Sequence, residues 1–256
     1  MKKLRNIGSR IAPIIFFVLL IILWELIVHI NGVKAYILPS PSVIMKALIK
    51  DSGLLLEHSK ITMYEAFLGF LIAILLSLAL SIIMDAFTLI KKCLYPLIIV
   101  SQTVPIIALA PLFIIWFGFG IMPKVIVVVM VCFFPMVISL VDGMASVDEE
   151  YINHFRLMGA NKIQIFFNLK LPYGLINFFS GMRIAATYSI MGAIIGEWLG
   201  GEKGLGIYMV RAKSAYALDK VFAAIIIVVV LSIICVNFIK FIEKIATPWK
   251  KINNKR

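Results

Sequence analysis

Residues 146–172, SVDEEYINHFRLMGANKIQIFFNLKLP, place a capped, glycine-broken pair of short helices between two long apolar spans. Ser146 and Glu149 stand at the spacing of a capping box, in which the hydroxyl and the carboxylate each satisfy one orphan N–H, so a helix is predicted to start there. Val147, Tyr151, Phe155 and Met158 then form an apolar stripe, and Asp148, Glu150, Asn153 and Arg156 occupy the other faces. Gly159 sits where a helix end favours a left-handed residue. Asn161 with Gln164 repeats the capping logic, and Pro172 is predicted to break helix at Leu171 and open the next span at its first turn. A short polar element that turns twice between membrane-length runs has the character of a docking surface.

Working outward, apolar stretches near 11–30, 66–84, 94–117, 123–141, 173–196 and 221–242 are each long enough for a bilayer that needs about 20 helical residues. The chain of 256 residues is 62% hydrophobic and 15% charged, with a mean hydropathy of +1.04. That leaves too little polar surface to clothe a soluble domain. The fold class is therefore all-α integral membrane, with about six transmembrane helices. No linker, low-complexity run or internal repeat divides it: residues 11–245 read as one membrane domain, with basic tails at 1–10 and 246–256.

Counted by connection, one side holds fifteen basic residues: Lys2, Lys3, Arg5 and Arg10; Lys91 and Lys92; Arg156, Lys162 and Lys170; Lys240, Lys244, Lys250, Lys251, Lys255 and Arg256. The other holds nine, namely Lys34, Lys46, Lys50, Lys60, Lys124, Lys203, Arg211, Lys213 and Lys220, with Arg183 left inside a span. The positive-inside bias thus predicts both termini, and the 146–172 loop, in the cytoplasm. A net charge of +12 spread over loops and tails fits anionic lipid rather than nucleic acid. The basic start followed by an apolar run is as long as a full span and ends in no small-x-small site, so it reads as a retained first helix.

Cys93, Cys132 and Cys235 are isolated, and His29, His58 and His154 are scattered, so neither metal nor cofactor is expected. There is no nucleophile elbow and no HExxH, and GEWLGGEKG lacks the lysine of a phosphate loop. The chain is thus not expected to be an enzyme.

Several polar residues within the spans carry two readings. Arg183 lies near mid-depth, where it requires partners: a structural ion pair, or an anionic group of the solute. Glu65 and Glu197 fall near outer span ends as interfacial or pathway acids. Pro105 and Pro111 break the third span, with Ser101, Gln102 and Thr103 just ahead. Trp116 and Trp198 mark the outer interface, or stack on the solute. Glu197 and Trp198, beside the turn built on Gly200, Gly201, Gly204 and Gly206, are expected just outside the hydrocarbon as part of an outer gate, where an acid would attract an amine-bearing heterocycle. The candidate pathway set is therefore Gln102, Pro105, Pro111, Arg183, Glu197 and Trp198. Segment 40–58, opened by Ser-Pro-Ser, is predicted to be an amphipathic helix at the outer surface, with Val43, Ala47 and Leu48 on one side and Lys46 and Lys50 on another.

Gly159, followed after nine residues by Leu169-Lys170-Leu171-Pro172, resembles the EAA loop of ATP-binding cassette importer permeases, although the Glu-Ala-Ala positions hold Asn153-His154-Phe155. PSPSVIMKAL, VPIIALAPLFIIWFGFG at 104–120, GMRIAATYS at 181–189 and GEWLGGEKGLG at 196–206 resemble the permeases grouped with nitrate, sulfonate, taurine and thiamine-precursor uptake. The resemblance implies the type I importer permease fold. It also implies that Glu150, Asn153, His154, Phe155, Gly159, Ala160, Leu169, Leu171 and Pro172 couple the chain to separate ATPase subunits. It further implies a second permease copy, most simply a homodimer, an extracytoplasmic solute-binding protein, and a bacterial-type plasma membrane. Two rivals are an ion-coupled secondary transporter or channel, which would place paired acids at mid-depth and lack a docking loop, and a membrane enzyme, which would require a catalytic constellation. Within the family, the thiamine-precursor pyrimidines are the nearest solute class by resemblance, and the sulfonate, taurine or nitrate carriers stand next.

Overall fold

The computed structural model describes residues 2–248, with side chains from residue 12 onward. The elements in order are α1 (Lys2–Ile30), α2 (Pro41–Lys50), α3 (Ser52–Ala86), α4 (Thr88–Ser101), α5 (Ile106–Phe117), α6 (Ile121–Ala145), α7 (Glu149–Leu157), α8 (Lys162–Ile165), a π-helical turn (Phe166–Lys170), α9 (Leu171–Gly200), α10 (Leu205–Ser214) and α11 (Leu218–Ala246). Among the described residues, five helices are long and apolar enough to cross a membrane, and α4 with α5, bent by 102° at a four-residue break, makes a sixth crossing if the pair counts as one. The expected number of spans therefore holds, but the third is bent rather than straight.

The bend comes before Pro105, whose ring lacks the N–H that would continue α4. Pro111, expected to break the span as well, lies inside an unbroken α5. Pro172 also fails to act as a stop. α8, the π turn and α9 run on without a gap, so the chain breaks once here and not twice. A π turn just ahead of a proline absorbs the carbonyl that the missing N–H leaves behind, so the helix passes through.

The described residues gather into two compact units, 2–59 with 208–227, and 60–207 with 228–248, whose boundaries fall inside α3, α10 and α11. In the first, α2 begins at Pro41 as expected, but the Ser40 hydroxyl caps no backbone N–H. Glu25 of α1 does that work, accepting from the Ser42 N–H at 2.9 Å and its hydroxyl at 2.7 Å. Ile44 and Ala47 are buried, and Lys46 and Lys50 are exposed, so α2 is amphipathic and ends at Asp51. Asp51 there accepts from Lys220 at 2.7 Å and from the Tyr208 hydroxyl at 2.9 Å.

In the second unit α6 and α9 pack along their length. Val128, Cys132, Met136, Leu140 and Met144 bury one α6 face at a spacing of four, and Phe178, Met182, Ala186 and Ile190 answer at the same spacing on α9. Small residues permit the close approach: a Cβ on Gly181 would stand 2.6 Å from the Pro135 carbonyl oxygen, and one on Gly192 would stand 2.8 Å from Val131. Ala66 and Ala73 of α3 and Ile239 of α11 complete this core.

Candidate functional site

The 146–172 loop is a small self-capped unit. The cap of α7 is Asp148, whose carboxylate accepts from the Glu150 N–H at 3.3 Å, and not the predicted Ser146, whose hydroxyl turns back to the Gly143 carbonyl at 2.9 Å. Ser146 itself continues the helical backbone of α6, which leaves its side chain no orphan N–H to serve. The far end of α7 closes as a Schellman motif: Gly159 at φ +82° donates to the Arg156 carbonyl, and the Ala160 N–H reaches the Phe155 carbonyl, each at 3.0 Å. Asn161 and Gln164 then form the expected reciprocal capping box, both bonds 2.8 Å long.

Inside the loop Val147, Ile165 and Leu169 are buried, with Ile152, Phe155 and Ala160 packed on them. The predicted stripe is therefore half right. Val147 and Phe155 point inward, but Tyr151 and Met158 face outward and Ile152 takes the inward place, because α7 starts two residues later than the capping-box spacing suggests. The result is an exposed apolar tip on a charged helix: Leu157 is 85% and Met158 83% exposed, with Ile163 and Phe167 alongside. Of the residues singled out for coupling, Glu150, Asn153 and His154 lie exposed on α7, Gly159 shapes the tip, and Phe155, Ala160 and Leu169 support it from within. Leu171 and Pro172 are half-buried at the start of α9. Lys170 pairs with Asp85 at 2.7 Å, tying the loop to the end of α3.

The charges within the spans are not where they were expected. Lys124, assigned to an outer connection, lies in the first turn of α6, where it is buried and donates to Glu65 at 2.7 Å. Glu65, its partner, is buried within α3. Glu197, expected to face outward at a gate, is fully buried. Its carboxylate accepts from the Thr62 hydroxyl at 2.6 Å and from the Gly206 N–H, while the Thr62 oxygen accepts from the Leu205 N–H at 2.9 Å. A carboxylate and a hydroxyl thus satisfy the first N–H groups of α10, a favourable place for negative charge. Gly206 permits this closeness, since a Cβ there would stand 2.8 Å from the Glu197 carboxylate.

Arg183 pairs with Glu243 of α11 and donates to the Ser180 hydroxyl at 2.8 Å. Glu243 and Thr62 were missed from sequence. An acid late in the last apolar run was a usable signal for the first, whereas nothing marks Thr62 out from any other helical threonine.

Two cavities accompany these groups. One, of about 680 Å³, is lined by Glu65 and Lys124, by Phe119 and Trp198, and by the glycine turn as far as Lys203. The other, of about 530 Å³, lies at the α4–α5 bend and includes Gln102 and Pro105. Pro111 lines neither.

Residues 77–245 match the family described as the binding-protein-dependent transport system inner membrane component. The chain is similar to the formylaminopyrimidine transport permease protein ThiX of Halalkalibacterium halodurans, 37% identical over 95% of this chain and 97% of the relative. It is also similar to the putative aliphatic sulfonates transport permease protein SsuC of Bacillus subtilis, 31% identical over 90% of this chain and 84% of the relative. Among solved structures, the inward-facing MetNI methionine ABC transporter shares the fold, with a TM-score of 0.51 at 18% identity over 77% of this chain and 96% of the other. Such permeases are multi-pass membrane proteins and not enzymes, ATP hydrolysis residing on a separate subunit. Together these findings place the chain in the binding-protein-dependent transport family, as the membrane-spanning permease of an ABC importer.

Proposed function

We propose that this permease imports a small nitrogen heterocycle of the formylaminopyrimidine kind, as one of two identical copies around a shared path in a bacterial plasma membrane. The observation that carries the solute assignment is the 37% identity to the formylaminopyrimidine permease, sustained over nearly the whole of both chains. A closed path needs more than the few spans one copy supplies, and a two-fold pair of copies is the simplest arrangement that supplies them. Both termini lie in the cytoplasm, on the side that carries fifteen basic residues against nine. The 146–172 loop then meets the ATPase subunit through the Leu157–Met158 tip, an apolar surface supported from within by Val147, Ile165 and Leu169.

The ion-coupled alternative loses its ground to the family assignment. A sulfonate or taurine solute remains the second reading, supported by the 31% identity to the sulfonates permease. Reconstitution with the ATPase and a solute-binding protein decides between them: ATP-driven uptake of formylaminopyrimidine is expected, and uptake of taurine in its place would overturn the heterocycle assignment. For orientation, a cysteine placed at Asn161 should resist a membrane-impermeant thiol reagent added to intact cells. Labelling from outside would invert the topology.

A further inference from the structure

The cavity at the α4–α5 bend has a chemistry unlike either charged cluster. Gln102, Thr103 and Pro105 line it from the bend, Met130 and Phe134 from α6, and Tyr188 and Met191 from α9. No residue lining it is charged. The backbone there is rich in acceptors. Gln102, Thr103 and Val104 donate their N–H groups backward to Ile98, Val100 and Ser101, and among the described residues no backbone N–H donates to their own carbonyls. The hydroxyl of Thr103 is spent on the Val100 carbonyl at 2.7 Å. The side-chain amide of Gln102 and the hydroxyl of Tyr188 have no protein partner among the described residues. Free carbonyls within a span are tolerated where they line a wet or solute-filled cavity.

We propose that this cavity is a solute subsite for an uncharged planar nitrogen heterocycle carrying N–H donors. The proposal rests on the import of such a heterocycle and adds the residues that recognise it. The carbonyls at the bend and the Gln102 oxygen accept the N–H groups, and the Gln102 amide and the Tyr188 hydroxyl serve ring nitrogens. The rings of Phe134 and Tyr188 and the thioethers of Met130 and Met191 cover the heterocycle faces. A volume of about 530 Å³ admits a substituted ring together with water. A sulfonate would meet carbonyl oxygens and no cation, since Arg183 is held by Glu243 and Ser180, and Lys124 by Glu65. Burying an anion without a counter-charge is strongly unfavourable.

The test uses the permease assembled with its ATPase and solute-binding protein in proteoliposomes, with formylaminopyrimidine and taurine as the two probes. Gln102→Leu and Tyr188→Phe should each raise KM for formylaminopyrimidine about fivefold, the effect of one lost hydrogen bond between neutral partners. ATPase activity stimulated by the binding protein should stay at the wild-type rate, a split that a merely structural role would not give. Should Gln102→Leu fail to insert, Tyr188→Phe, which keeps the ring, decides alone. Wild-type KM in Tyr188→Phe, with normal formylaminopyrimidine uptake by the parent, overturns the subsite and leaves the solute assignment standing. A parent that carries taurine but not formylaminopyrimidine overturns both.

Discussion

The 146–172 loop and the Glu65–Lys124–Glu197 region solve opposite problems. The loop places apolar side chains outward on a polar element and settles its backbone almost wholly with neighbours in sequence, from Asp148 to Glu150 and from Asn161 to Gln164. The second region buries charge and settles it with partners far along the chain: Glu65 with Lys124, 59 residues away, and Glu197 with Thr62, 135 residues away. An element that is locally complete can present a surface to a partner and move as a unit. A cluster joined across the chain resists rearrangement, since breaking one contact strands a buried charge.

The largest expected effect follows from that stranding. Glu65→Leu leaves the Lys124 ammonium buried without its carboxylate, and removing one member of a buried pair costs about 3–5 kcal/mol. The detergent-solubilised variant should melt well below the parent, or accumulate poorly in the membrane. Glu65→Leu combined with Lys124→Met removes both charges and should recover most of the loss, because replacing a whole buried pair by apolar groups is often neutral. A single variant as stable as the parent would show that the pair is wet and contradict the contrast drawn with the loop.

Next in size is Gly159→Val. No atom stands within 4 Å of the place a Cβ would occupy, so the cost is conformational alone: a β-branched residue at φ +82°, about 1–2 kcal/mol. The loop should lose its Schellman closure while the core of α6 and α9 stays intact. The expected result is normal insertion with transport abolished and the ATPase no longer co-purifying. Gly159→Asn, better suited to a left-handed site, should retain much of both. Wild-type uptake by the valine variant would detach the tip from coupling.

These same two regions separate what the sequence made legible from what it did not. Gly159, the Asn161–Gln164 box and the long apolar helices were readable because each depends on residues within a turn or on the apolar length of one helix. The start of α7 was misplaced because Ser146 and Asp148 both offer a capping oxygen, and only the end of α6 decides between them. The break expected at Pro172 was lost to the π turn, a local rearrangement with no residue signature of its own. Glu197 and Lys124 read as solvated because charge alone suggests water. Their burial depends on Thr62, Gly206 and Glu65, whose proximity no local pattern reveals.

Asp51 stands between the two cases, tied over long range to Lys220 and Tyr208 but at a partly solvated corner. The hydrogen bond from Lys220 does most to hold its carboxyl below the usual aspartate range, and burial opposes it. A depressed acid stabilises only while ionised, so its contribution is complete above about pH 4 and disappears as the pH falls through its lowered value. Because Lys220 is partly exposed, the contribution is at most about 0.2–1 kcal/mol. Protection of the amides around Asp51 and Tyr208, taken relative to their intrinsic exchange rate at each pH, should fall in acid in the parent, whereas Asp51→Asn should show the lower protection at every pH. A variant with unchanged exchange at pH 7 would leave the corner without a role in holding α10.

The smallest expected change in stability belongs to the tip itself. Leu157 and Met158 touch little of their own chain, so the double change Leu157→Ser and Met158→Ser should alter melting by no more than about 0.5 kcal/mol. The fold has nothing to lose there, because the supporting core of Val147, Ile165 and Leu169 lies on the opposite side of the loop from the exposed pair. Association with the ATPase is another matter: fully burying one such side chain is worth about 1.5–3 kcal/mol, at least a tenfold change in affinity. The measurement is ATPase retention on the purified permease across a titration of the ATPase, with melting recorded on the same preparations. Weakened retention at unchanged melting is the expected outcome, separating a surface built for a partner from one built for the fold. Unchanged retention would assign the tip to lipid or solvent and move the ATPase contact to the charged face of α7, where Glu150, Asn153 and His154 are exposed.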